Sequence, residues 1–413
     1  MEFKETQLES ILEINPTTSL KKGTITKKIA MEHLDGFVKK IQDYEITEFK
    51  SGSKFKNGDT LVARITPCLE NGKIAYVDIL DEDEIAFGST EFFVIRAKQG
   101  KADSQFIYYL MRSPEVRDIT IQSMTGTSGR QRAQKESILG YKLKVPDLDT
   151  QRRIGNVLSL FDKKIEVNKE MIKTLEQLSQ TLFKHWFIDF EFPNEQGQPY
   201  KSSGGEMVES ELGEIPKGWR INSLDKIANY QNGLAMQKYR PMESEKKSLP
   251  VLKIKELNQG FTDVNSDRCS INIKDSVKVL NGDVIFSWSG TLLVKLWTGG
   301  EAGLNQHLFK VTSCDFQKWF YYLWTKHYLT VFQARAAEKA TTMGHIKRAH
   351  LEEAKAVIPK LIQLEVANKT FEPIIEQIIA LGIENKKLQE LRDTLLPKLL
   401  SGEIEIPDEL EVK

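Results

Sequence analysis

The chain is written twice, and any fold it adopts has to accommodate the duplication. One ungapped offset lays VPDLDTQRRIGNVLSLFDKKI (145–165) over IPKLIQLEVANKTFEPIIEQI (358–378), pairing Pro146 with Pro359, Leu158 with Phe371, Phe161 with Ile374 and Ile165 with Ile378. The same offset pairs Leu175 with Leu388, Leu178 with Leu391, Thr181 with Thr394 and Leu182 with Leu395. A unit repeated in sequence folds as a repeated structure. The globular stretches repeat more loosely: Phe3 and Leu8 fall on Trp219 and Leu224, FKNGDTLVARI (55–65) on VLNGDVIFSWS (279–289), STEFFVIRA (89–97) on NQHLFKVTS (305–313), and FIYYLMRS (106–113) on WFYYLWTK (319–326). In both copies an Asn-Gly-Asp turn precedes an apolar run, which predicts a loop feeding a strand. The paired tyrosines sit in predicted short helices.

Each half is therefore expected to be a mixed α/β domain followed by one long helix: domain 1–146 with helix 147–190, and domain 211–359 with helix 360–402. The segment FEFPNEQGQPYKSSGGEMVESELGEIPKGW, rich in Gly, Ser, Pro and acids, predicts an exposed linker over 191–210. Residues 403–413 form a tail.

In the first long helix Ile154, Leu158, Phe161, Ile165, Asn168, Ile172, Leu175 and Leu182 recur at alternating fours and threes, with Ser179 in the remaining slot. In the second the same slots hold Ala367, Phe371, Ile374, Ile378, Leu381, Asn385, Leu388, Arg392 and Leu395. Such a stripe is the seam for one partner helix. An antiparallel coiled coil with Asn168 facing Asn385 sets Ile154 against Leu399, Leu158 against Leu395, Ile165 against Leu388, Ile172 against Leu381 and Leu175 against Ile378. Phe161 then opposes Arg392, with Leu391 available to turn inward. A facing Asn pair would penalise slipped registers; alternatively both side chains reach solvent. Pro373 predicts a kink or an irregular first turn. About 33 residues at roughly 1.5 Å each make a rod near 50 Å long, a spacer between two similar domains related by a pseudo-two-fold axis. The expected fold class is thus α+β.

Bulk properties remove other options. Lys and Arg together number 58 and Asp and Glu 58, so the net charge is zero; this argues against a general coat of polyanions and leaves local basic patches open. No apolar run approaches a membrane span, and MEFKETQLESILE lacks the features of a secretory signal, so a cytoplasmic protein is expected. Cys68, Cys269 and Cys314 stand far apart without ligand-spaced histidines, which predicts buried free thiols and no metal site.

LFKHWFIDFEFP (182–193), SELGEIPKGW (210–219) and LLPKLLSGEIEI (395–406) closely resemble the specificity (S) subunit of type I restriction-modification systems, the HsdS family, and the resemblance runs the length of the chain. It implies two target recognition domains, each reading one half of a split double-stranded DNA sequence, with the helices setting the unread gap. It implies two methyltransferase (M) subunits docked on the helices, carrying S-adenosylmethionine and methylating adenine. Where the system also cuts, it implies motor-nuclease (R) subunits using ATP and Mg. The chain itself would bind no cofactor and catalyse nothing; it would supply the address.

The motifs agree with a non-catalytic role. No N-P-P-Y or D-P-P-Y methyltransferase motif, phosphate loop, G-x-S-x-G elbow or H-E-x-x-H occurs. One nuclease-like order does, Pro146-Asp147 followed by Asp162-Lys163-Lys164. Competing readings are therefore a stand-alone metal-dependent nuclease using Asp147, Asp162 and Lys164, and a scaffold whose rod joins two peptide-binding domains.

For DNA contact the strongest segment is SGRQRAQKESILGYKLK (128–144). Arg130 and Arg132 can fork onto guanine and Gln131 and Gln134 onto adenine, while Lys135, Lys142 and Lys144 suit phosphates. Its counterpart TTMGHIKRAH (341–350) offers His345, Lys347, Arg348 and His350. Weaker candidates are NPTTSLKKGTITKK (15–28), QNGLAMQKYR (231–240) with Gln237, Lys238 and Arg240, and Arg64 and Thr66, which the repeat places opposite Trp288 and Ser289. Different side chains at equivalent positions predict unlike half-sites and a target that is not a palindrome.

Overall fold

The computed structural model describes residues 3–263, 265–338 and 344–407. The chain divides into two compact units, Met1–Ile165 with Leu388–Lys413, and Glu166–Lys387. Among the described residues no helix is long and apolar enough to cross a membrane.

In the first unit an antiparallel sheet is ordered Leu12–Ile14, Phe92–Ala97, Thr60–Ala63, Ile74–Tyr76. A second is ordered Glu45–Glu48, Ile25–Ile29, Ala86–Gly88, Ser53–Phe55, with Ile25–Ile29 and Ala86–Gly88 parallel. A two-stranded ribbon pairs Phe3–Gln7 with Lys142–Pro146. Thr60–Ala63 is buried at every position because both of its faces are covered, so its sequence reads as an apolar run. The helix Ser104–Arg112 is capped by the Asp103 carboxylate, which accepts from the Phe106 N–H at 2.9 Å. All seven of its residues from Phe106 to Arg112 are buried, as expected of a helix enclosed by core.

The second unit repeats this plan strand for strand. One sheet is ordered Asn229–Asn232, Leu308–Thr312, Val284–Ser287, Leu293–Leu296. The other is ordered Arg268–Ser270, Ser248–Leu252, Ala302–Leu304, Lys278–Val279, again with its central pair parallel. The ribbon is Arg220–Ser223 with Lys355–Ile358, and the helix is Lys318–His327. The Asn-Gly-Asp turns are superposable in chemistry. Asp59 accepts from the Lys56 N–H at 2.9 Å and Asp283 from the Leu280 N–H at 2.8 Å, with Gly58 and Gly282 at φ 88° and 87°, a conformation that favours glycine. Each aspartate then holds a cation on the neighbouring strand, Arg96 at 2.7 Å and Lys310 at 2.8 Å.

Two long helices run Leu148–Phe183 and Leu361–Ser401. In the second unit they meet at Asn168, whose Nδ2 donates to Asn385 Oδ1 at 3.0 Å and to Glu384 Oε2 at 2.7 Å. In the first unit Ile154 and Leu158 share a core cluster with Leu396 and Leu399. The two helices therefore pack on one another within each unit. The expected in-turning of Leu391 does not occur: Leu391 is 53% exposed and Arg392 3%. Arg392 occupies the interior because Asp162 is there to receive it, with Asp393 at 2.9 Å on its other side. Burial works against its charge, and Asp162 and Asp393 overcome that and hold it protonated. The second helix continues unbroken through Pro373; the missing N–H leaves only the Lys369 carbonyl without a helical donor, which a packed helix tolerates.

Residues 191–210, expected as an exposed linker, are folded. Phe192 stacks between Tyr200 at 4.5 Å and Trp219 at 4.8 Å, and Met207–Ser210 forms a hairpin with Gly213–Pro216. Most of the segment is exposed, as expected, but polar composition hid two aromatic anchors, Phe192 and Tyr200, that tie it to the core. Of the thiols only Cys269 is buried; Cys68 is half-buried and Cys314 exposed.

Candidate functional site

The basic segments and the strands ending at Ala63 and Ser287 meet in both units through the same main-chain frame. In the first unit the Ala133 N–H donates to the Arg64 carbonyl at 2.8 Å and the Thr66 N–H to the Gln131 carbonyl at 3.0 Å. In the second the Ile346 N–H donates to the Trp288 carbonyl at 3.0 Å and the Gly290 N–H to the Gly344 carbonyl at 2.9 Å. The frame continues to the adjacent strand, where the Arg64 N–H donates to Glu91 O at 3.0 Å and the Trp288 N–H to His307 O at 3.4 Å. These bonds fix equivalences by geometry. Arg132 corresponds to His345, Glu91 to His307, and Thr66 to Gly290 rather than to Ser289.

The side chains carried by this frame differ. Glu91 receives Arg132 through two nitrogens, at 2.7 to 3.1 Å, and Arg64 Nε at 3.3 Å. The Arg132 fork pulls the Glu91 carboxyl below its ordinary range, burial opposes this, and Arg64 adds to it. In the second unit the three places hold aromatic rings, with Trp288 centred 6.0 Å from His307 and 6.3 Å from His345. One element is common: a guanidinium lies over the same phenylalanine, Arg64 5.6 Å from Phe93 and Arg348 5.7 Å from Phe309. The strand supplies it in one unit and the helix Arg348–Glu353 in the other, so an equivalent place is filled from a different part of the chain.

The remaining sequence candidates scatter around this frame. Arg130 and Lys135 are exposed; Gln134 turns back, its Nε2 donating to Thr125 Oγ1 at 2.8 Å and to the Arg132 carbonyl at 3.0 Å. Lys142 and Lys144 lie on the ribbon paired with Phe3–Gln7. Lys347 is exposed, His350 is buried with its Nδ1 accepting from the Lys347 N–H, and residues 341–343 lie outside the described residues. Gln237 lines a hollow of about 410 Å³ with His307, Lys253 and Lys255. Lys238 ends a short turn, and Arg240 is exposed beyond it. The weaker candidate segments 15–28 and 231–240 are partly strand, at Ile25–Ile29 and Asn229–Asn232.

The nuclease-like order dissolves in three dimensions. Asp147 caps the first long helix, accepting from the Thr150 and Asp149 N–H groups at 3.0 Å. Asp162 lies four turns away, roughly 22 Å along the helix, bound to Arg392 and to the Tyr109 hydroxyl at 2.6 Å. Two carboxylates so placed cannot share a metal ion.

Residues 1–177 match the model of the type I restriction modification DNA specificity domain. The MjaIX specificity subunit of Methanocaldococcus jannaschii is 27% identical over 317 residues, covering 74% of this chain and 70% of that one. The HindI specificity subunit of Haemophilus influenzae is 27% identical over 410 residues, covering 84% and 87%. The chain is thus similar, over most of its length, to specificity subunits of type I restriction enzymes. The crystal structure of the S subunit from M. genitalium shares its fold, with a TM-score of 0.52 at 14% identity over 98% of this chain and 97% of that one. These similarities support a non-catalytic, DNA-recognising role. Sequence reading missed Glu91 and His307. The signal was present, since STEFFVIRA over NQHLFKVTS aligns them, but an alignment of strands alone gives neither residue a role.

Proposed function

We propose that each globular domain of this chain reads one half of a bipartite, asymmetric double-stranded DNA target in the cytoplasm, and that the two long helices set the unread gap and recruit two methyltransferase subunits, with motor-nuclease subunits where the system also cleaves. The observation that carries the reading is the shared main-chain frame. It presents a basic segment beside the end of the same strand in both domains and varies only the side chains, as two readers of unlike half-sites require. Recruitment through the helices is supported by Leu160, Val167, Met171 and Leu178. All four are apolar, at least 43% exposed, and recur on one face of the helix Leu148–Phe183.

With a net charge of zero, the chain alone has little counterion release to drive binding and should hold DNA weakly. The test is methylome mapping and salt-dependent gel shift with the reconstituted methyltransferase complex. A two-part, non-palindromic motif is expected. An inverted-repeat motif, or tight sequence-selective binding by the isolated chain at physiological salt, would overturn the reading.

A further inference from the structure

The two residues that sequence reading missed sit at the centre of the frame in each domain, and their chemistry differs in kind. In the first domain Glu91 is a charged acceptor held between two guanidiniums. In the second, polar atoms stand buried and without partners among the described residues: Trp288 Nε1, His307 Nδ1 and Asn232 Oδ1. Buried polar groups are nearly always paired, and an unpaired cluster marks a place where something else supplies the partner.

These three atoms belong to one face of one sheet. Phe286 lies opposite Phe309 in the ladder, and the Tyr230 ring contacts both. Trp288, His307 and Asn232 each stand two residues from one of those rings, so alternation places them on the same side. The amide nitrogen of Gln306 lies 3.3 Å from His307 Nε2. An amide nitrogen donates, so Nε2 accepts and the ring proton belongs on Nδ1. Trp288 and His307 therefore offer two N–H donors, and exposed His345 packs edge-on against the Trp288 ring.

We propose that Glu91 and His307, with Arg64 and Trp288 beside them, are base-reading positions that make the two half-sites unlike. The proposal rests on the reading of the domains as DNA readers. A carboxylate between arginines suits a G·C pair in the major groove, because cytosine N4 donates to carboxylate while guanine O6 and N7 accept the arginine fork. The second domain has no charged acceptor at this place, and its N–H donors suit base acceptors such as adenine N7, thymine O4 or guanine O6. Rotation of exposed His345 opens the way to them, a side-chain adjustment usual on binding.

The experiment uses the full chain in its methyltransferase complex and maps methylated adenines genome-wide for Glu91→Gln, His307→Gln and Trp288→Phe. The last removes the partnerless indole N–H together with the five-membered ring and keeps one aromatic ring at a half-buried position; its thermal unfolding, measured beside wild type, shows that the fold stays. The wild-type complex, run alongside, must return a two-part motif; if it does not, the underlying function has failed rather than this assignment. Given that motif, Glu91→Gln should relax or change one position of one half-site. His307→Gln and Trp288→Phe should change only the other half-site, each with at least a tenfold fall in discrimination at that position. Unaltered motifs in Glu91→Gln and Trp288→Phe, or a uniform loss of methylation with the motif intact, would overturn the assignment.

Discussion

Removing the Arg392 guanidinium would take the cation from Asp162, which lies in a site only 11% exposed, while Asp393 would keep Arg112 at 2.9 Å. Breaking such a pair leaves an uncompensated buried charge, so Arg392→Ala should cost about 3–5 kcal/mol, whereas Arg392→Leu combined with Asp162→Leu should recover most of it. Urea unfolding of the single and double variants checks this, with Arg392→Ala as the less stable. Glu84 supplies a pH dependence. Burial pushes its carboxyl up, but the Lys27 ammonium, the Asp81 N–H and the Thr26 hydroxyl pull it down to about 2 from 4.5. Because the folded-state value lies below the unfolded one, its contribution is complete above about pH 4.5 and is lost as the pH falls towards 2. Glu84→Gln should therefore flatten the acid limb of stability against pH, and an unchanged limb would refute the assignment. Neither site was legible in the sequence. Arg392 read as an intruder in an apolar seam, since its partner lies far away in the chain and only folding brings Asp162 to it.

At the scale of elements, periodicity located both long helices and the Asn-Gly-Asp turns located both central strands, because each rests on local chemistry. What escaped was whatever depends on distant packing: the aromatic anchors within 191–210, the interior Arg392, and the residues flanking the edge-to-frame contacts. The meeting of Asn168 with Asn385 can be probed directly. Asn168→Leu alone leaves Asn385 and Glu384 without their shared donor and should cost about 1–3 kcal/mol, while Asn168→Cys with Asn385→Cys should cross-link on mild oxidation, read as a mobility shift reversed by reductant. The exposed apolar stripe makes a separate prediction. Met171→Glu, on a surface 43% exposed, should leave thermal unfolding of the chain within a degree or two of wild type. It should weaken capture of the methyltransferase subunit by about tenfold or more. Equal capture by both chains would place the partner elsewhere.

For the whole molecule, the repeat foretold two similar mixed α/β domains, and the strand order that they share appears only in the structure. Under the proposed division of labour, the helices carry distance and the domains carry sequence. Deleting one heptad from each long helix removes roughly 10 Å, about three base pairs at roughly 3.4 Å each. The methylated motif should keep its bases and shorten its gap by about that much, and a change in the bases themselves would contradict the division. The frame that seats the basic segment is made of main-chain N–H and carbonyl groups alone, which every residue but proline carries. Mutation can therefore redraft what the strand tip displays without disturbing how it is held, and a lineage under pressure from new invading DNA could change its password one letter at a time while the lock stays whole.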